Sequence, residues 1–185
     1  QEYAEELETY ISHIYNWWAD NMPKVNGEQF GTLEGGVIAA VPGGDVPACV
    51  SGEFPAGNAF YAPCADVIIY DDVGLFPELY DTYKDMGSAI PLGIVIAHEF
   101  GHAAQARTDY YATMSSHVAE MQADCYSGAW LADLKADAGD TGVDLGGSET
   151  VALFVILSKF SRWDTGFDDG TAADSHGSGF DRVAA

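Results

Sequence analysis

The chain has few basic residues. Among its 185 residues, 7 are Lys or Arg and 29 are Asp or Glu, so the formal net charge is −22. So few cations cannot neutralise a phosphate backbone, which excludes nucleic acid as a partner. Long apolar runs are also missing, and the longest, such as residues 151–157, are far too short to cross a bilayer. Hydrophobic residues still make up 48% of the chain, which predicts a packed core rather than disorder.

Cysteine is scarce as well, with 3 in the chain and no CxxC pair, so a cysteine-based zinc site has no support. Cys49 and Cys64 lie in a Gly- and Pro-rich stretch, where they form either a disulfide or two buried free thiols. A disulfide would indicate an oxidising, extracytoplasmic compartment. Cys125 lies in a helical pattern and is predicted to be a small core residue.

Residue 1 is Gln rather than Met, and no signal peptide precedes it. We therefore expect a processed chain that is secreted, or anchored through a segment absent from this sequence, with no transmembrane segment of its own.

Hydrophobic periodicity divides residues 1–185 into four sections of what we expect to be one domain, without a linker or repeat. These sections are a helix at 1–22 that ends before Pro23, loops and short strands at 23–87, two helices within 88–138, and a helix and irregular tail at 139–185. Two or three short strands are expected within 23–87, the clearest at residues 67–70, and residues 37–41 form another short apolar run. The later helices are expected at about 90–107, 116–138 and 149–160. The expected apolar stripe of the helix at 116–138 consists of Val118, Met121, Cys125, Ala129 and Ala132.

The strongest chemical signal is the sequence HEFGH at residues 98–102. Two histidines four residues apart on a helix project from one face, so His98 and His102 can both reach a single metal ion. Glu99 lies about 100° round the helix from His98, where it flanks the metal and can take a proton from a metal-bound water. Because such a pattern also arises by chance, the remaining ligands have to support it.

A hydrolytic metal site needs a third protein ligand and one open position. The helix at 116–138 offers Glu120, with Asp124 four residues later on the same face. Glu120 could bind the metal, while Asp124 accepts the free ring N–H of one ligand histidine and fixes its tautomer. The alternative is that these two acids form a solvated face.

HEFGH and the later segment EMQADCYSGAW at residues 120–130 together resemble the bacterial neutral zinc metallopeptidase family, and more distantly the thermolysin-like gluzincins. The resemblance implies Zn²⁺ as the cofactor, with His98, His102 and Glu120 as its ligands, Glu99 as general base and Asp124 behind a ligand histidine. The implied function is a peptidase, in particular an endopeptidase, that hydrolyses peptide or protein substrates through a zinc-bound water activated by Glu99.

The fold that this resemblance implies is a compact zincin-like α+β domain. In it, a small and mostly antiparallel sheet packs on the metal-bearing helices, and one edge strand faces the substrate. The segment NAFY at residues 58–61 resembles that edge strand, which implies main-chain hydrogen bonds from Asn58 and Ala59 to an extended substrate. The alternative for this segment is an ordinary turn and strand with no ligand.

The tail sequence DSHGSG at residues 174–179 resembles the Ser-His-Gly stretch near the end of the family's domain. This implies that His176 stabilises the oxyanion, although it could equally be a surface residue. Tyr110 and Tyr111, which follow the HEFGH helix, are weaker candidates for the same role.

The alternative function is a catalytically silent zincin-fold module for binding or scaffolding. Glu99 argues against it, because a structural metal site does not need that carboxylate. A structural zinc would also need a fourth protein ligand, and the sequence offers no obvious one.

Overall fold

The computed structural model describes residues 2–86 and 89–137. In chain order its elements are α1 (Ala4–Asn26), β1 (Gly36–Ala40), β2 (Ala59–Ala62), β3 (Val67–Asp71), α2 (Leu75–Tyr83), α3 (Ile90–Gln105) and α4 (Ser116–Ala136), with 3-10 turns at Lys84–Met86 and Tyr111–Thr113. The architecture is α+β, which confirms that prediction. The helix expected at 149–160 and the tail lie outside the described residues. Within the described ranges, no helix is long and apolar enough to cross a membrane.

The first helix runs further than the sequence predicts. α1 includes Pro23 and ends at Asn26, so the prediction that it stops before Pro23 is wrong. Proline removes one backbone N–H from the helix ladder, and α1 continues for only three residues beyond it. Gly27 then ends the helix in a left-handed conformation, at φ 83°, with its N–H donating to the Pro23 carbonyl at 3.0 Å.

The sheet is mixed rather than mostly antiparallel, which corrects the expectation. Its strand order is β1-β3-β2, with β3 antiparallel to β2 and parallel to β1. β3 is central and buried on both faces: Ile68 packs into the core shared with the helices, whereas Ile69 packs with Phe54 and Ala62 on the other side. This burial explains the uninterrupted apolar run of β3, since strands covered on both faces lose the alternation of polar residues. β2 is left at an edge of the sheet.

Residues 23–87 contain the helix α2 as well as loops and strands. The prediction that this section holds only loops and short strands is therefore wrong. The buried residues of α2 are Leu75, Phe76, Leu79 and Tyr83, which lie on one face. Pro77 occupies the first turn, where its missing N–H breaks no helical hydrogen bond. The short helix is therefore held mainly by burial of its apolar face.

α3 is the central helix of the domain. Every residue from 90 to 101 is buried, and the helix packs against α4, α1, α2 and β2. Its apolar residues therefore surround the helix instead of forming one stripe, as expected for a helix inside a core. The predicted range of 90–107 agrees with the observed helix to within two residues at its end.

The buried face of α4 differs from the expected apolar stripe. Val118 is 48% exposed and Cys125 is an exposed free thiol, so the predictions for the stripe and for a core Cys125 are wrong. The buried residues of α4 are Ala119, Glu120, Ala123, Asp124, Ser127, Trp130, Leu131 and Leu134. Because two carboxylates belong to this buried face, hydrophobicity alone places the face incorrectly.

Cys49 and Cys64 form a disulfide, which settles the alternatives left by the sequence. Their Cα atoms are 6.2 Å apart. Cys64 lies two residues after the end of β2, so the bridge closes a loop that contains this strand. Such bonds form and persist in oxidising compartments.

Asp71 at the end of β3 is a fully buried carboxylate. It accepts the backbone N–H groups of Gly57 at 2.7 Å, Val73 at 3.0 Å and Gly74 at 2.8 Å. Burial raises the pKa of Asp71, but these hydrogen bonds outweigh burial and hold the pKa below its ordinary value. Asp71 thus joins the segment before β2 to the start of α2.

We predict that Asp71→Asn lowers the free energy of unfolding at pH 7 by about 2 kcal/mol or more, because buried N–H groups lose a charged acceptor. The folded-state pKa is depressed, so the contribution of Asp71 is present above the unfolded pKa of about 4 and is lost as the pH falls below it. The difference between wild type and Asp71→Asn should therefore shrink between pH 5 and pH 2, measured by urea unfolding. Asp45→Asn, at an exposed position, is the control and should show no such trend.

Candidate functional site

Three potential metal ligands converge at the junction of α3 and α4. The Nε2 atoms of His98 and His102 are 3.1 Å apart, and each lies 3.2 Å from a carboxylate oxygen of Glu120. His98 and Glu120 are buried, at 8% and 7% exposure, and His102 is partly buried. Such a cluster of two imidazoles and one carboxylate can hold a metal ion. The structure thus brings together the three ligands expected from the sequence.

Both histidine rings are fixed from behind by a hydrogen bond to Nδ1. Asp124 Oδ1 lies 2.8 Å from Nδ1 of His98, and Gln105 Oε1 lies 2.9 Å from Nδ1 of His102. These contacts favour the N–H on Nδ1 and leave Nε2 of each ring for a metal, because the oxygens act as acceptors. The two rings are therefore oriented so that both Nε2 atoms could bind one metal ion.

Gln105 is a site residue that the sequence analysis missed. It is 1% exposed, and its Nε2 donates to the Ala119 carbonyl at 2.6 Å while its Oε1 contacts His102. Gln105 therefore links the second histidine to the start of α4. Its position three residues after His102 on the same helix is the signal that could have identified it.

The charges of the site depend on its burial. Burial lowers the pKa of His98, but the carboxylates of Asp124 and Glu120 outweigh it and raise that pKa to about 10. A metal ion binds histidine through a ring nitrogen that carries no proton, so metal binding would release a proton from His98. Burial raises the pKa of Glu99, and the two histidines and the Tyr61 amide only partly offset that effect.

Glu99 is held beside the ligands rather than among them. Its side chain is 7% exposed, and Oε2 accepts the backbone N–H of Tyr61 at 2.8 Å. This hydrogen bond comes from β2, so the edge strand and the HEFGH helix meet at Glu99. The other carboxylate oxygen has no hydrogen bond to the described residues, and the residue lines the cleft.

Gly101 allows α3 and α4 to approach closely enough to form the site. A Cβ atom at this position would lie 2.9 Å from Cα and 3.1 Å from Cβ of Ala123. Ala123 stands between Glu120 and Asp124 in the sequence of α4. The second glycine-dependent contact of α3 is at Gly93, where a Cβ would lie 3.0 Å from the rings of Tyr10 and Trp130.

A cleft of about 660 Å³ opens over the ligands. Its lining comprises Asn58, Ala59, Phe60, Tyr61, Glu99, His102, Tyr111, Met114, Ser116, Ala119 and Glu120. One wall is thus the edge strand β2 with the residue before it, and another is the segment between α3 and α4. The two residues expected to bind substrate, Asn58 and Ala59, both lie in the wall on the β2 side.

The main chain of β2 alternates between the sheet and the cleft. The Asn58 carbonyl accepts the Asp71 N–H at 2.9 Å and faces β3, whereas the Tyr61 N–H points to Glu99. By this alternation the main-chain groups of Ala59 face away from β3, on the side of Glu99. Main-chain pairing with a substrate therefore stays a prediction for Ala59, while the Asn58 main chain is used within the sheet. The Asn58 side chain accepts the Ala59 N–H at 2.9 Å, so the Ala59 carbonyl is the main-chain group to which this prediction applies.

The two tyrosine candidates for oxyanion stabilisation differ in their position relative to the cleft. Tyr111 is partly buried and lines the cleft, whereas Tyr110 is 40% exposed and is not part of the lining. Burial, followed by the nearby carboxylates of Glu120 and Glu99, raises the pKa of Tyr111, so its phenol stays protonated near neutral pH. His176 lies outside the described residues, so its role stays a prediction.

Comparison of this chain with protein-family models, with curated proteins and with solved structures finds no match.

Proposed function

We propose that the chain is a zinc-dependent peptidase that hydrolyses internal peptide bonds of peptides or proteins. The observation that carries this proposal is the convergence of His98, His102 and Glu120 at a cleft, with the buried Glu99 carboxylate beside them. A structural metal site would have no use for a buried base, whereas hydrolysis requires one. The resemblance of HEFGH and the segment at 120–130 to neutral zinc metallopeptidases agrees with this proposal.

The spacing of the three ligand atoms supports zinc. Zinc–nitrogen and zinc–oxygen bonds of about 2.0–2.1 Å in a tetrahedral site place neighbouring ligand atoms about 3.3 Å apart. The two Nε2 atoms are 3.1 Å apart, which is close to that value, and Glu120 places one carboxylate oxygen 3.2 Å from each of them, Oε2 beside His98 and Oε1 beside His102. A set of three protein ligands also leaves the fourth position for water or substrate, as catalytic zinc sites do.

When bound, zinc would polarise the scissile carbonyl and lower the pKa of a coordinated water. Glu99 would accept the proton of the attacking water at the carboxylate oxygen that Tyr61 does not occupy, and would then pass it to the leaving amine. The Tyr61 N–H keeps the carboxylate oriented during both transfers. Asp124 and Gln105 would hold the two histidine rings in place throughout.

Tyr111 is the described residue best suited to stabilise the oxyanion. It lines the cleft together with Glu99 and Glu120, and its raised pKa keeps a proton on the phenol for donation. An extended peptide that adds to β2 through Ala59 would pass along the same wall. Because residues on both sides of the scissile bond would contact this wall, cleavage of internal bonds is favoured.

The disulfide between Cys49 and Cys64 supports an extracytoplasmic location, secreted or anchored, because it requires an oxidising compartment to persist. The strongly acidic composition suits an exported protein.

The proposal is tested by metal analysis and a digest of a peptide library. We expect the purified chain to contain one zinc ion per molecule and to cleave library peptides at internal bonds. Chelation should abolish cleavage, and one equivalent of zinc should restore it, with mass spectrometry of the fragments as the measurement.

Two results would contradict the proposal. Bound zinc without cleavage of any peptide would favour the silent binding or scaffolding module. Restoration by iron but not by zinc would point to different chemistry, because two histidines and one carboxylate can also hold iron.

A further inference from the structure

Tyr61 contacts two different parts of the molecule through its two ends. Its main-chain N–H donates to Glu99 Oε2 at 2.8 Å, and its phenol O–H donates to Asp66 Oδ1 at 2.7 Å. Asp66 belongs to the turn between β2 and β3, outside the cleft lining. Tyr61 therefore joins the base of the candidate site to a carboxylate that does not line the cleft.

Asp66 is a strained residue whose carboxylate is saturated with donors. Its φ of 46° is the only positive φ among the non-glycine residues that the structure describes. Besides the Tyr61 phenol, its oxygens accept Arg107 Nη2 at 2.9 and 3.0 Å and the Glu34 N–H at 2.9 Å. Left-handed backbone is costly outside glycine and persists where surrounding contacts hold it. At Asp66 it turns one carboxylate towards all three partners.

Arg107 anchors this carboxylate to the end of α3. Its Nη1 donates to the Ala103 carbonyl within α3 at 2.8 Å, and its Nε donates to the Phe30 carbonyl at 2.9 Å. The guanidinium also lies 4.6 Å from the centre of the Phe30 ring. These hydrogen bonds attach Arg107 to the helix that holds His98, Glu99 and His102. A chain with only 7 basic residues thus uses one of them inside the molecule.

We propose that Tyr61, Asp66 and Arg107 form a positioning unit that holds β2 in a fixed register beside the HEFGH helix. The unit attaches the turn after β2 to the end of α3, and Tyr61 carries that attachment back to Glu99. It thereby sets the orientation of the base and the placement of the Ala59 main chain along the cleft. As a role in catalysis, this inference rests on the proposed peptidase function.

The test compares two variants that remove the same kind of hydrogen bond. Tyr61→Phe removes the bond to Asp66, and Tyr3→Phe removes a matching bond from a buried phenol to Asp72 Oδ1, which is 2.6 Å long and lies outside the cleft lining. We expect similar losses of thermal stability and unchanged zinc content in both. Only Tyr61→Phe should lower kcat, by about tenfold, because misplacement of a catalytic group slows the reaction itself.

Two further measurements separate positioning from general stabilisation. The double variant Tyr61→Phe/Asp66→Asn should have the same kcat as Asp66→Asn alone, because the two side chains act through one connection. Hydrogen exchange of the amides of residues 58–62 should accelerate in Tyr61→Phe but not in Tyr3→Phe. Arg107→Lys, which keeps the charge but not the fork of donors, should lower kcat less than Arg107→Met.

The outcomes distinguish this inference from the proposed function. Equal kcat values for Tyr61→Phe and wild type, or equal exchange rates in residues 58–62, would overturn the positioning unit while leaving the peptidase intact. If the zinc-loaded wild type cleaves no peptide, the proposed function fails. In that case accelerated exchange confined to Tyr61→Phe would still support the unit as the device that sets the register of β2, and unchanged exchange would overturn it.

Discussion

The Glu99→Gln variant is expected to keep its zinc and to hydrolyse peptides about 10²–10⁴-fold more slowly than the wild type. Glutamine has nearly the same shape, and its amide oxygen can still accept the Tyr61 N–H that contacts Oε2 in the wild type. The proposed metal ligands are His98, His102 and Glu120, so this substitution would leave all three in place. What disappears is a carboxylate able to accept a proton. The measurements are zinc content and the rate of cleavage of a library-derived peptide.

The matched control is Glu28→Gln, which makes the same chemical change at an exposed position outside the cleft lining. It should retain the wild-type rate. Full activity in Glu99→Gln would show that the base is assigned to the wrong residue. Loss of zinc together with activity would instead show that Glu99 supports the metal shell.

Gly101→Ala is expected to weaken zinc binding by about tenfold or more. The new Cβ would lie 2.9 Å from Cα of Ala123, so α4 has to move away from α3. Glu120 and Asp124 flank Ala123 on α4 and would move with it, one as a ligand and the other as the support of His98. Overpacking costs about 1–3 kcal/mol, at least as much as the roughly 1 kcal/mol that alanine gains over glycine in a helix.

Gly128→Ala provides the control for Gly101→Ala. It is also a glycine inside a helix, but a Cβ there meets nothing within 4 Å. This variant should be more stable by up to about 1 kcal/mol and should bind zinc as the wild type does. Zinc affinity measured by chelator competition, together with thermal unfolding, compares the two. Wild-type zinc affinity in Gly101→Ala would show that the helix contact does not control the site.

Local patterns predict the helix that holds most of the site. The spacing of His98 and His102, with Glu99 between them, depends only on the geometry of one helix, and the structure places all three at the cleft or its floor. Glu120 and Asp124 are also predicted from their spacing of four residues. What the sequence alone leaves open is whether this second helix turns its acids towards the first, because that depends on packing between α3 and α4.

The errors arise where tertiary contacts override local patterns. On α4, Glu120 and Asp124 are buried whereas Val118 and Cys125 are exposed, so the buried face is not the one that hydrophobicity predicts. Strand direction is equally invisible in the sequence, because the apolar run of β3 suits a parallel or an antiparallel neighbour. The spacing of Gln105 from His102 is a local signal, but the hydrogen bond from Gln105 to the Ala119 carbonyl, fourteen residues later, is one that no short pattern contains.

The disulfide loop keeps the strand that lines the cleft apart, in the sequence, from the two helices that carry the candidate metal ligands. The candidate metal ligands and Asp124 lie on α3 and α4, whereas the strand along the cleft lies inside the loop closed by Cys49 and Cys64. That loop could therefore exchange its residues, and with them the choice of substrate, while the chemistry remains on the two helices. Tyr61 is an exception, because it belongs to the loop and its amide also donates to Glu99 on α3. A library randomised within the loop but fixed at Tyr61 would explore specificity without disturbing the metal.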